Sequence, residues 1–583
     1  MSGMDLRPST DIEMASHTPP LPPASKVSQT AGPDVPLSAA QVDVLQVIER
    51  RRGVATTIRQ YIVIVALFLS LFAAALDVTI IATAAPTISE ELASAVGYTW
   101  IGASFLLANV TTSAIWVKLS DIWGRKVILI VLLAWFALSS VVCATAKTIE
   151  MLIVGRAFQG AASGGLIVLV HVCISDLFSL RQRSLLLGLT EGVWALAGGI
   201  GPVLGGAFSS LASWRWCFWI NLPISGLAGA IIFLFLDIEH EYTSFVDGVK
   251  AIDWLGIMTF LGCSVMLLLG LDFGGDLFPW NSAKVIALLV VGGVLVFAFV
   301  YSEVKIAEHP LIPMHIFTKM TNNAVLLLAF FHGFVFISGE YYMPLFLQSV
   351  FEATPLQSGL LLLPFIVMTA LSGILCGVII HRTGSFRELL WVGSICLCVG
   401  YGLFVSFTTQ ASTAQIVGYQ LIGGVGSGLL FETPIIAIQS HVKQENVATA
   451  TATLSFIRNV GITLSVVVGG SLFQSSMNQR VDYLRSAGLS AKLLANFAGD
   501  SAMANVLTVR TIENDAWKTA VKEAFCWSMR NMWILYTAVA FLGIVAGLFV
   551  KKSDLSTEHT VTVTGLKKTP RSELRPPGAE LSA

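Results

Sequence analysis

The chain has 583 residues, of which 55% are hydrophobic and only 12% charged, against roughly 25% charged in soluble domains. That balance excludes a soluble globular protein and implies an all-α polytopic membrane protein. A net charge of −1 offers nothing to nucleic acid.

Residues 1–55 are polar and rich in Pro, Ser and Thr, without the apolar core of a cleavable signal peptide, and read as a disordered tail. Arg51, Arg52 and Arg59 stand directly before the first apolar run. Fourteen runs near the ~20 residues that a bilayer demands follow. Their approximate limits are 61–83, 99–117, 127–145, 151–173, 185–208, 217–236, 252–271, 284–302, 323–350, 357–380, 389–408, 414–440, 448–473 and 531–550. The run 323–350 is long and is expected to tilt or bend near Gly339 or Pro344. A second polar tail, 553–583, is expected to be disordered.

Positive charge sets orientation. With the N-terminus inside, the short internal loops hold eleven Lys and Arg residues, among them Lys118, Arg125, Arg181 and Arg387, and the short external loops hold three, Lys147, Arg215 and Lys284. Both termini are therefore expected in the cytoplasm. The 474–530 loop is expected outside, carrying a short amphipathic helix on the outer surface. Six of the eight cysteines fall inside apolar runs and count as small hydrophobes. Cys396 and Cys398 are too close for a metal site. Cys217 and Cys526 lie in predicted external regions, where a disulfide is possible. No metal or cofactor is expected.

The chain repeats itself. GRAFQGAASGGL (155–166) is echoed by GYQLIGGVGSGL (418–429), and VKLSDIWGRK (117–126) by GVIIHRTGSF (377–386). Six runs counted from each end leave two in the middle. The expected layout is a bundle at 56–240, two linker helices within 241–320, and a bundle at 321–552. Parallel six-helix halves around a central site are a transporter design.

The stretch GLTEGVWALAGGIGPVLGGAF (188–208) is glycine-dense within one apolar run. Small residues let helix backbones approach in lipid, and Pro202 removes a backbone donor. It resembles the antiporter motif of the major facilitator superfamily, through Gly188, Gly201, Pro202, Gly205 and Gly206, with Ala197 at one glycine position. In that superfamily the motif marks exporters. Three further patterns are similar to the same superfamily. LDVTIIATAAP (76–86) resembles the first-helix motif of its fourteen-span drug:proton antiporters. VKLSDIWGRK resembles the motif between spans two and three, with Val117 and Ile122 as departures, and GRAFQGAASGG the span-four motif with its buried arginine, Arg156. EYYMPLFLQSV (340–350) and LLFETPIIAIQSHV (429–442) resemble fungal members. The resemblance implies a major facilitator fold of fourteen helices arranged 6+2+6. It also implies that Asp121, Gly124 and Arg125 latch the outward-facing state; Asp121 and Arg125 are read as unburied and placed to bridge neighbouring helix ends.

A charge at mid-bilayer costs about 2.5–3.5 kcal/mol, so such residues face partners or cavities. With a rise of 1.5 Å per residue and a core ~30 Å thick, Asp77 lies ~24 Å from the inner edge and Arg156 ~7.5 Å from the outer one, at matching depth. The same arithmetic puts Glu191 at ~9 Å, Glu432 at ~12 Å, Arg458 at ~15 Å and Glu340 at ~25 Å from the inner edge. Asp77 with Arg156, and Glu432 with Arg458, are candidate pairs, and Glu340 has no visible partner. Asp77 is the first candidate for proton coupling and Glu340 the second. His171 and His332 are read as core histidines. Tyr341, Tyr342 and Gln348 are candidate substrate contacts.

The reading is a proton-coupled efflux transporter for small hydrophobic molecules such as a fungal toxin, secondary metabolite or drug. It is expected in the plasma membrane as a monomer, with protons, a small-molecule substrate and the lipid bilayer as partners. A vacuolar basic amino acid carrier and a nutrient-sensing receptor are the alternatives. No metal cluster, nucleophile constellation or phosphate loop suggests an enzyme.

Overall fold

A computed structural model describes residues 39–92, 95–274, 278–307, 310–499, 501–558 and 564–565. Among them, fourteen helices are long and apolar enough to cross a membrane. They lie along α1 (Ala39–Glu91), α2 (Ala95–Trp123), α3 (Arg125–Ala144), α4 (Ile149–Leu177), α5 (Leu180–Leu211), α6 (Asn221–Phe235, which crosses together with the preceding turn Trp216–Trp219), α7 (Trp254–Phe273), α8 (Ala283–Lys305), α9 (Met320–Val350), α10 (Pro355–Thr383), α11 (Arg387–Phe404), α12 (Thr413–His441), α13 (Val447–Gln479) and α14 (Asp515–Leu548). The chain divides between Tyr61 and Ile62: the first unit contributes the leading turns of α1, and the second holds all that follows.

Local chemistry sets several helix starts. Thr354 and Ser412 accept from the backbone N–H groups of Gln357 and Gln415, whose side chains return the bond. These are capping boxes, and Pro355 adds a preset φ at the first position of α10. Inside a bilayer the backbone must satisfy itself, which is why every crossing is a helix. Pro344 lies within α9, which continues unbroken to Val350. Nearby, the Tyr401 hydroxyl accepts from Gly339 N–H and donates to the Phe336 carbonyl.

The two halves echo one another in packing. An added Cβ on Gly160 or Gly164 of α4 would lie 2.1 and 2.2 Å from α2 backbone oxygens, and one on Gly424 or Gly428 of α12 would lie 2.8 and 2.0 Å from those of α10. The same four-residue spacing therefore seats α4 on α2 and α12 on α10. The second echo is also a backbone fact: Gly124 and Gly384 both take positive φ, 89° and 72°, which glycine adopts without steric cost. Between the halves, α7 packs on α8, and α8 is the least buried of the fourteen. Its Val290, Val294 and Phe297 are exposed, as a lipid-facing stripe would be.

Four expectations are corrected. The first helix begins at Ala39, so residues 39–55 are helical rather than a disordered tail, while residues 1–38 lie outside the described residues. The 474–530 loop shrinks to 480–514, because α13 runs on to Gln479 and α14 starts at Asp515. Its short helices do not lie free on a surface: Leu484, Phe497 and Val509 are buried, and the segment packs on α9 and α14. Cys217 and Cys526 are both free thiols. Cys217 is buried in the Trp214–Phe218 cluster, and the Cys526 thiol donates to the Phe407 carbonyl. Part of the second tail is ordered: Thr564 exchanges backbone hydrogen bonds with Glu239 and Glu241, and Gly565 N–H donates to the Asp121 carbonyl.

Candidate functional site

Three buried polar centres interrupt the apolar stack. The first gathers around Asp77. Arg156 Nη1 donates to Asp77 Oδ2 at 2.5 Å, and Gln159 Nε2 and Asn221 Nδ2 both donate to Oδ1, at 2.7 and 2.8 Å. Ser140 accepts from the same two amides. The guanidinium also donates to Gln159 Oε1 and the Ile101 carbonyl, and stacks 4.2 Å from the Phe105 ring. One carboxylate thus ties α1, α4 and α6 together within the first six helices, and the two amides that bond it also reach Ser140 on α3. Its charge is matched and its lone pairs are used, the condition under which a buried ion pair is tolerated. Gln159 and Asn221 escaped the sequence reading, although Gln159 sits three residues beyond Arg156 on the same helical face.

The second centre is the expected latch. Arg125 bonds Asp121 at 2.6 Å, Asp176 at 2.9 Å and Ser120 Oγ at 2.5 Å. Its side chain is 2% exposed, so the expectation that this arginine is unburied is wrong. The cause is Asp176 at the end of α4, which gives the guanidinium a second carboxylate and draws it under the loop. Gly124 turns the chain there, and a Cβ on it would meet the His240 ring at 3.1 Å.

The third centre lies between the halves. Glu432 on α12 accepts from Thr190 on α5 at 3.4 Å, its Oε2 has no hydrogen-bond partner among the described residues, and Glu191 is close enough to interact with it electrostatically. Arg458 on α13 does not complete an ion pair with Glu432. Its Nη2 donates to the Phe431 carbonyl at 2.7 Å, the guanidinium stands 5.2 Å from the Phe431 ring, and Nε has no partner among the described residues. The carbonyl one residue before Glu432 takes the bond that the side-chain depth estimate assigned to the carboxylate. His332 Nε2 is bonded to the Ser427 carbonyl at 3.1 Å, with its ring edge-on to Phe431. Glu340 is close enough to Glu191 to interact electrostatically. It makes no side-chain hydrogen bond or ion pair among the described residues.

The glycine-dense α5 faces both ways. Near its start, a Cβ on Gly188 would lie 2.8 Å from the Gly373 carbonyl of α10. Near its end, a Cβ on Gly201 or Gly205 would lie 2.1 Å from Thr79 Oγ1 and 2.2 Å from the Ile80 carbonyl of α1. Pro202 leaves its carbonyl to Thr83, and Thr79 donates to the Ala197 carbonyl. Gly206 departs from the expectation: nothing lies within 4 Å of its Cβ position.

The candidate substrate contacts do not form one surface. Tyr342 is buried, donating to the Val466 carbonyl and packing on Tyr536. Gln348 donates to Ser358 and ties α9 to α10. Tyr341 alone is open, 54% exposed. Adjacent residues on a helix point about 100° apart, so Tyr341 and Tyr342 cannot share a facing.

Hydrogen bonds between the first and last six helices cluster at one end. Arg181 donates to the His381 carbonyl, Arg183 to Gln439 and Gln444, Ser184 to the Gly377 carbonyl, and Gln439 to Ser175. All lie toward the Asp121–Arg125 loop, and the Thr190–Glu432 hydrogen bond is the deepest. Beyond it, a Cβ on Gly192 would still touch Ile374 at 3.2 Å, but Gly198 and Gly199 meet nothing within 4 Å. The hydrogen bonds named here join the halves at the Arg125 end, and α5 is open at Gly198 and Gly199.

The model of the Major Facilitator Superfamily matches residues 67–466. The chain is similar to the efflux pump dotC of Dothistroma septosporum, 44% identical over 515 residues that cover 88% of each chain. It is similar to the MFS-type transporter ppz2 of Metarhizium majus, 39% identical with 87% of each chain covered. Its fold resembles that of the human organic anion transporter MFSD10, with a TM-score of 0.52 at 15% identity, covering 82% of this chain and 99% of that one.

Proposed function

Since the chain belongs to the major facilitator superfamily, we propose that it is a proton-coupled efflux transporter that expels small, largely hydrophobic molecules. The one-ended joining of its halves carries the reading: a body closed at one end and parting toward the other is what alternating access requires. The Arg125 end is the cytoplasmic one by its positive charge, both termini lie there, and the closed state is therefore outward-facing. The bundles at 56–240 and 321–552 rock about α5 and α10, where Gly188 and Gly377 let the backbones meet.

The name of dotC, an efflux pump, supports the outward direction of transport. Proton coupling is supported by carboxylates placed where lipid makes them costly. Glu340, Glu432 and Arg458 lie at or near the meeting of the halves and change surroundings when these move. Asp77 and Arg156 stay within one half, so their part is to hold the first bundle rigid while it moves. Tyr341 is the open aromatic of its segment and the one we assign to cargo. The site of action is the plasma membrane, and the monomer is the working unit.

Cells that lack their own pumps test this. Expression of the chain should lower intracellular rhodamine 6G, and a protonophore should restore it. Equal dye with and without expression would overturn the reading.

A further inference from the structure

We propose that the two linker helices, α7 and α8, form a side wall that travels with the first bundle and slides off α13 when the halves part at the Arg125 end, opening the line where α2 meets α13 toward the bilayer. The inference rests on the rocking of the halves and assigns the two extra helices their part in it.

The halves meet along two lines. On one, α5 lies against α10 and α12; on the other, α13 lies against α2 and α4. The first is fastened by hydrogen bonds such as that from Ser184 to the Gly377 carbonyl. On the second, no hydrogen bond or ion pair among the described residues joins α2 to α13, and α7 touches both of them. Phe260 of α7 is buried, 5.4 Å from the Phe299 ring of α8 and 4.8 Å from the Phe456 ring of α13. The linker pair therefore covers this line with packed rings.

The two attachments of the wall differ in kind. Toward α2 it is fixed along its length. At the outer end Trp100 packs edge-on to Phe273 at 5.7 Å. At the Arg125 end Ile122 shares a buried cluster with Ile252 and Ile257, and Trp123 stacks at 5.9 Å on Phe245 of the short helix Phe245–Ala251 that leads into α7. A Cβ on Gly248 of that helix would lie 2.5 Å from Trp123 Nε1, so glycine is what lets the indole lie this close. Polar bonds add to the apolar ones. Lys118 Nζ on α2 donates to the Pro310 carbonyl at 3.1 Å, with Glu303 and Asp253 in electrostatic reach. Glu303 accepts from the Leu311 and Ile312 N–H groups, each at 3.1 Å. The connector from α8 to α9 is thus held on the first-half side as far as Ile312. Movement is taken up beyond it, where Pro313 precedes the short helix Met314–Thr318.

Toward α13 the wall presents rings, and no hydrogen bond or ion pair among the described residues joins α7 or α8 to that helix. Which side yields follows from the cost. Parting apolar rings within a membrane exchanges protein contacts for lipid contacts, and acyl chains are as apolar as the side chains they replace. Pulling the connector from Lys118 and Glu303 would strand an ammonium, a carboxylate and two backbone donors where water is scarce. The α13 side is therefore the one that opens.

Cross-linking tests this. In the full chain, with Cys263, Cys396, Cys398 and Cys526 replaced by alanine, one variant carries Phe260→Cys with Phe456→Cys and another carries Trp100→Cys with Phe273→Cys. Each is treated in cells with a short bis-methanethiosulfonate, and rhodamine 6G efflux is measured before treatment, after it and after reduction. Joining 260 to 456 should cut efflux severalfold, and reduction should restore it. Joining 100 to 273 should leave efflux unchanged. Efflux before treatment shows that each pair folds; should the first pair misfold, p-benzoylphenylalanine in place of Phe260 keeps an aromatic side chain and makes the bond to α13 by light. Unchanged efflux across the bond from α7 to α13, or an equal loss across the bond from α7 to α2, would overturn the proposal and leave proton-coupled efflux standing. If the unsubstituted chain exports no dye, both fail.

Discussion

Arg156 and Asp77 stand 2.5 Å apart between α4 and α1, with neither side chain more than 2% exposed. Gln159 and Asn221 occupy the other carboxylate oxygen, so the pair is part of a closed polar knot. Removing the cation strands a buried charge, at a cost of about 3–5 kcal/mol. Arg156→Ala should therefore melt well below the unsubstituted protein in detergent. Asp77→Asn keeps the shape but turns one acceptor into a donor facing a donor and leaves Arg156 without its counter-charge, so it too should melt lower. A melting temperature unchanged in Arg156→Ala would show that the knot does not hold the bundle.

The glycines of α5 should differ sharply from one another. Gly205→Leu drives a side chain into the Ile80 carbonyl, and Gly201→Leu drives one into Thr79. Both should reach the membrane yet lose at least tenfold in dye efflux, because α5 can no longer lie against α1. Gly206→Leu, which meets open space, should keep efflux within about twofold. Quantifying membrane-inserted protein beside efflux checks this, and equal loss at 201, 205 and 206 would contradict it.

Much of this was legible in the sequence, and the exceptions have physical causes. Hydropathy counted fourteen crossings because lipid demands a nearly fixed length. Depth arithmetic brought Asp77 to Arg156 because one rise per residue serves every helix. The same arithmetic set Glu191 and Glu432 about 3 Å apart in depth, but a search for opposite charges passes over two acids. Facing was not legible. A helix that is apolar all round carries no stripe to orient it, which is why Tyr342 was read as a substrate contact when it is buried against Tyr536. Asp176 was missed because nothing in its neighbourhood marks it as the second partner of Arg125.

The latch should depend on charge balance. Arg125→Ala leaves Asp121 and Asp176 without their shared cation. It should reduce membrane-inserted, monodisperse protein severalfold. Adding Asp176→Asn to it should recover part of the loss by removing one of the two carboxylates that faced the guanidinium. If the double variant is no better than the single, the ion pairs are not the reason Arg125 matters.

Glu352, in the connector between α9 and α10, bonds Lys522 at 2.5 Å and Lys518 at 3.4 Å. Hydrogen bonding to Lys522 leads the effects that hold its carboxyl below the usual carboxylate range. A carboxylate lowered on folding adds stability that is full above its unfolded value, about 4.3, and is lost as pH falls through the lower folded value. Melting temperature should therefore drop more steeply below pH 4 in the unsubstituted protein than in Glu352→Gln. Parallel curves would show that the pair contributes nothing.

The central claim is that an inward proton flow drives cargo out, and inside-out vesicles measure it most directly. With the lumen made acid, rhodamine 6G should accumulate in vesicles that carry the protein, and collapsing the gradient should release it. Accumulation that is the same with and without the gradient would contradict the account.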